Sequence, residues 1–73
     1  LRVGNGIRMM RKEAGLTQAQ LAERLGISRT LLSFYETGRT IADWETVLKM
    51  ASELDCTVGD LYRNALIDII QAS

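Results

Sequence analysis

Residues 17–38, TQAQLAERLGISRTLLSFYETG, carry two complete sets of helix punctuation almost back to back. Thr17, with Gln20 three residues on, forms a T-x-x-Q capping box that satisfies two backbone groups at a helix start. Leu21, Ala22 and Leu25 share the inner face of that helix, and Gly26 supplies a left-handed stop. Ser28 caps the next helix, which ends near Glu36 and Thr37, with Gly38 as its stop. Only Gly26 and Ile27 separate the first helix from the second cap. So short a connection forces the two helices to cross at a steep angle. Ala22 lets the second helix pass close over the first, where a larger side chain would hold them apart.

The rest of the chain reads in the same grammar. Ile7, Met10 and Ala14 recur at i, i+3, i+7 before Gly15, which predicts a first helix over about residues 5–14. Asp43 caps a fourth helix whose apolar positions are Trp44, Val47, Leu48, Ala51 and Leu54. Asp55 and Cys56 form a break. Thr57 and Asp60 make a second capping box for a fifth helix, expected from about residue 58 to near Ile70. Proline is absent from the chain. The expected fold class is therefore all-α, five helices in a single domain over residues 1–73.

Composition narrows the chemistry. The chain has 73 residues, one cysteine and no histidine. Cys56 allows no internal disulfide and no multi-cysteine metal site. No metal or other cofactor is expected, and neither a nucleophile–base pair nor a phosphate-cradling glycine loop points to an enzyme. No apolar run is long enough to span a bilayer, and no signal segment opens the chain. A cytoplasmic location is expected, with no membrane partner. The chain begins at Leu1, which suggests residues upstream. The net charge is zero, but residues 1–40 carry seven Lys/Arg against three acids, and residues 41–73 carry two against six. One end of the molecule can attract a polyanion that the other repels.

With this layout, IRMMRKEAGLTQAQLAERLGISRTLLSFYETGRTIADWETVLKMASELDCTVGDLY resembles the lambda-repressor-like helix-turn-helix family, also called the Cro/C1 or xenobiotic-response-element type. The likeness covers about residues 3–62. Its most specific parts are GLTQAQLAERLGIS and the E-x-G-R of Glu36, Thr37, Gly38 and Arg39. It implies a compact five-helix domain in which helices 2 and 3 read double-stranded DNA. It also implies a dimer on a palindromic operator.

The resemblance assigns roles that physical chemistry partly supports. A helix N-terminus presents free N–H groups and partial positive charge, so Gln18, the first residue of helix 2, suits a phosphate. Arg29 and Thr30 open helix 3, the end that enters the major groove in this motif. Arg29 can pair bidentately with guanine, and Thr30 can meet a thymine methyl or a phosphate. Arg39, beside Thr37 and Gly38, would lie against the DNA backbone. Arg11 and Glu36 would form a structural ion pair between helix 1 and the end of helix 3.

Two departures from the family pattern stand out. Helix 3 carries two apolar ridges, Leu32 with Tyr35 and Leu31 with Phe34. The family turns Leu32 and Tyr35 inward with Ile27, leaving Leu31 and Phe34, with Ser33 beside them, near the groove face. Three readings stay open for Leu31 and Phe34: contacts to thymine methyls, a ridge for a protein partner, or packing sideways on neighbouring helices. In the next loop, relatives often carry basic residues and a proline where this chain has Thr40, Ile41, Ala42 and Asp43. Fewer cations mean fewer phosphate contacts and greater reliance on dimerisation.

Helix 5 offers more apolar surface than one small domain needs. Val58, Leu61 and Ala65 can close the core. Tyr62, Leu66, Ile69 and Ile70 form a second stripe, expected to make a homodimer interface. Trp44 is expected to pack on the core or a domain seam, and Cys56 to fill a core gap. The sequence thus points to a dimeric transcriptional repressor of prokaryotic or phage type. The competing reading is a protein-interaction module, of antitoxin or antirepressor-partner type, that keeps the fold with weak DNA binding.

Overall fold

The computed structural model describes residues 3–62, with side chains from residue 6 onward. Five helices occupy these residues: α1 (Val3–Glu13), α2 (Gln18–Leu25), α3 (Arg29–Glu36), α4 (Trp44–Glu53) and α5 (Val58–Leu61). The N-terminal caps are those the sequence predicts. Thr17 and Thr57 form reciprocal capping boxes with Gln20 and Asp60. Ser28 Oγ accepts from the Leu31 N–H at 3.0 Å, and Asp43 Oδ1 from the Thr46 N–H at 3.0 Å. Hydrogen bonding from Thr46 holds the Asp43 carboxyl below its ordinary range.

One device closes four of the helices. The N–H of the residue just after a left-handed one reaches back five residues to a carbonyl in the last turn. Leu16 donates to the Arg11 carbonyl at 3.1 Å, Ile27 to Ala22 at 3.0 Å, Arg39 to Phe34 at 2.9 Å and Cys56 to Ala51 at 3.0 Å. The left-handed residues are Gly15, Gly26, Gly38 and Asp55, the last with φ 52° and a Cβ to accommodate. Lys49 Nζ on α4 adds a donor to the Leu25 carbonyl at the end of α2, at 3.2 Å.

The core gathers Ile7 of α1, Leu21, Ala22 and Leu25 of α2, Leu32 and Tyr35 of α3, and Leu61 of α5. From α4 and its cap come Val47, Met50, Ala51 and Leu54. Helix α1 packs on α3 and α5, while α2 packs on α3 and α4. Gly6 explains the closeness of α1 to α5, because a Cβ there would be driven into the Leu61 carbonyl. Cys56 packs half-buried against the core, and burial pushes its thiol up, aided by the charges of Asp60 and Asp55.

Two expectations for α4 need correction. Trp44 is 62% exposed and Leu48 46% exposed, and Met50 fills the inner position instead. Trp44 opens the helix, and a helical side chain leans toward the helix start, so the indole lies past the stretch its neighbours cover. Helix α1 also starts two residues earlier than the apolar spacing suggests and ends at Glu13. Helix α5 is described only to Leu61. Ala65 and the expected interface residues Leu66, Ile69 and Ile70 lie outside the described residues, whereas Tyr62 is half-buried against the core. No helix among the described residues is long and apolar enough to cross a membrane.

Candidate nucleic-acid interface

The front of α3 stands clear of the core. Arg29 and Thr30 are both exposed, in the first turn just after the Ser28 cap. Arg29 has its flexible guanidinium in solvent, beside N–H groups that no earlier turn of helix can satisfy. Further along α3, Leu32 and Tyr35 turn inward, as the family pattern requires.

The Leu31 and Phe34 ridge is divided by its neighbours. Leu31 is half-buried and packs against the core. Phe34 is half-buried with the Arg39 guanidinium above its ring, Cζ lying 4.7 Å from the centroid. This cation–π contact fixes Arg39 over the end of α3, and the short bond from the Arg39 N–H to the Phe34 carbonyl holds the backbone there. Thr37 is exposed and works locally. Its hydroxyl donates to the carbonyls of Ser33 at 3.0 Å and Phe34 at 3.3 Å. Ser33 itself is half-buried.

Beneath this surface lies a buried carboxylate. Glu36, the last residue of α3, is 1% exposed. Arg11 of α1 donates from Nε to Glu36 Oε2 at 2.8 Å and from Nη2 to Oε1 at 3.1 Å. Its Nη1 donates to the Leu16 carbonyl at 2.8 Å, so the guanidinium bridges α1, the turn into α2 and α3. Two further donors converge on Oε1: Arg8 Nε at 3.4 Å and Gln18 Nε2 at 3.3 Å. The carboxylate therefore ties the end of α3 to α1 and to the start of α2. A buried charge requires such pairing, because an unpaired one carries the full cost of desolvation.

The Glu36 cluster is richer than the pairwise reading of the sequence. Arg8 and Arg11 are three apart on α1, a spacing that puts both on one face and was the available signal for Arg8. Gln18, read from the sequence as a phosphate contact only, also belongs to this network. Nothing in its local sequence indicates that a carboxylate eighteen residues later will meet its side chain.

Residues 7–61 match the sequence model of the helix-turn-helix family. The chain is 37% identical over 51 residues to the cryptic phage CTXphi transcriptional repressor RstR of Vibrio cholerae, covering 70% of this chain and 46% of that protein. It spans about half the length of the curated relatives it matches. Among solved structures it is similar to the clp gene regulator ClgR from C. glutamicum, with a TM-score of 0.83 and 28% identity over 92% of this chain and 87% of that one. It is also similar to SinR, the master regulator for biofilm formation, solved in complex with DNA. There the TM-score is 0.74, with 30% identity over 81% of this chain and 95% of that one.

Proposed function

Because the chain belongs to the helix-turn-helix family of transcriptional regulators, we propose that it is a repressor that reads an operator with the front of α3. The single observation that carries this reading is the exposure of Arg29 and Thr30 at the start of a helix anchored at its far end by Glu36. Arg29 would supply the base-reading contact, with Thr30 beside it. Gln18 at the start of α2 and Arg39, with Thr37, just beyond α3 would hold phosphates and set the depth of insertion. Leu31 and Phe34 contribute their exposed edges, since each is partly occupied by protein contacts. The chemistry asked of the molecule is recognition without catalysis, in the cytoplasm.

A homodimer on a palindromic site is part of this proposal. Ile41, 71% exposed, lines a small apolar cavity with Tyr62, and Trp44 is also exposed nearby in sequence at the start of α4. A second copy would cover such surface together with Leu66, Ile69 and Ile70, and would present two α3 helices to successive turns of DNA. The competing reading, a module that binds proteins rather than DNA, draws on the same exposed Ile41, Trp44 and Leu48. It draws less on Leu31 and Phe34, which have partners within the chain.

Selection of binding sites from a pool of random duplexes tests the proposal. The expected result is a palindromic consensus, with Arg29→Ala losing discrimination at one base pair per half-site at a cost of about 1–3 kcal/mol. A confirmed dimer that retains no duplex at low salt would refute DNA recognition and leave the protein-binding module.

A further inference from the structure

Glu36 Oε1 receives more donors than it can serve. A carboxylate oxygen offers about two lone pairs, yet Arg11 Nη2, Gln18 Nε2 and Arg8 Nε all approach this one, at 3.1, 3.3 and 3.4 Å. Arg11 alone satisfies the charge of Glu36, with two bonds, the shorter of them 2.8 Å. The second guanidinium therefore adds a positive charge that the buried carboxylate does not require. The Arg8 side chain remains 42% exposed, while that of Arg11 is 10% exposed. Its placement matters because Gln18, which shares the same oxygen, opens α2 beside that helix's free N–H groups.

We propose that Arg8 is a phosphate-contacting residue of the DNA-binding face, acting on the phosphate that Gln18 grips. This rests on the DNA-reading proposal above and adds a residue of α1 to it. When a phosphate takes the Gln18 amide, Glu36 Oε1 loses one of its two weaker donors. Arg8 Nε can then shorten its bond to that oxygen while the outer guanidinium nitrogens face the phosphate. Glu36 aims the arginine, and the surplus charge is what the DNA backbone meets. This contact carries no base information, so it strengthens binding to every sequence alike.

The test is the salt dependence of binding to a mixed-sequence DNA duplex, measured for the wild-type protein, Arg8→Gln and Arg8→Lys. Loss of one phosphate contact lowers the slope of log K against log[salt] by about 0.9, equivalent to about eightfold weaker binding at 0.1 M salt. Arg8→Gln is expected to show that loss with its thermal midpoint close to wild type. Arg8→Lys, which keeps the charge, should restore the slope. An unchanged slope in Arg8→Gln overturns the assignment, including the case in which affinity falls only in step with thermal stability. If the wild-type protein binds no duplex, the DNA-reading proposal falls and the role of Arg8 falls with it. Wild-type binding with a steep slope that Arg8→Gln leaves intact sinks the role of Arg8 alone.

Discussion

Replacing Arg11 with methionine strands a carboxylate inside the protein. Arg11→Met keeps an unbranched apolar stem but removes the guanidinium and with it three hydrogen bonds: two to Glu36 and one to the Leu16 carbonyl. Glu36 is 1% exposed, so water cannot readily replace what is lost. Breaking a buried pair at one side costs about 3–5 kcal/mol. Arg8 and Gln18 still donate to Oε1, which places the expected loss near the lower end, about 3 kcal/mol. In a domain of this size each kcal/mol moves the midpoint by about 4–8 °C, so a drop of at least ~12 °C is expected. Thermal and urea unfolding followed by far-ultraviolet circular dichroism measures it. The double variant Arg11→Met with Glu36→Leu removes the stranded charge and should recover a large part of the loss, giving a strong coupling in a double-mutant cycle. A single-variant loss below about 1 kcal/mol, the range of exposed ion pairs, would refute the reasoning. So would additivity of the two substitutions.

Two further substitutions test the backbone geometry by urea denaturation. Gly6→Ala would be stabilising by about 0.5–1 kcal/mol in an open helix. Here the added methyl meets the Leu61 carbonyl, so a net loss of about 1–3 kcal/mol is expected, and any gain in stability contradicts the close approach of α1 to α5. Asp55→Gly relieves the left-handed residue that closes α4 and withdraws a negative charge from that helix's C-terminal end. An increase of about 0.5 kcal/mol is expected after the entropy glycine gains in the unfolded chain, and a loss would show that the Asp55 side chain serves the turn.

The parts of the fold that were legible in the sequence are those decided within a few residues. A cap needs its hydroxyl or carboxyl three residues ahead of an N–H, and a left-handed stop needs a residue that tolerates positive φ. Both conditions are local, so Thr17, Ser28, Asp43, Thr57, Gly26 and Gly38 announce the helix ends. The Arg11–Glu36 pair could be expected because family resemblance supplied a distant partner that spacing cannot. What stayed hidden depends on neighbours far along the chain. Periodicity places Trp44 on the face of Val47 and Ala51 but is silent on where the covering helices end. Gly6 reads as a poor helix residue until Leu61 arrives against it. Leu31 and Phe34 form one ridge on a helical projection, yet the core takes the first and Arg39 covers the second. Asp55 sits at a break the sequence marks, but its positive φ is set by the return of the Cys56 N–H to Ala51.

Because α3 is moored at Glu36, its trailing residue, the side chains at its leading end answer to no interior partner. Arg29 and Thr30 can be exchanged for others while the angle at which the helix is offered stays the same. If these two positions read the duplex as proposed, a lineage of such proteins could drift from one target sequence to another by editing them, with the framework that aims them inherited intact.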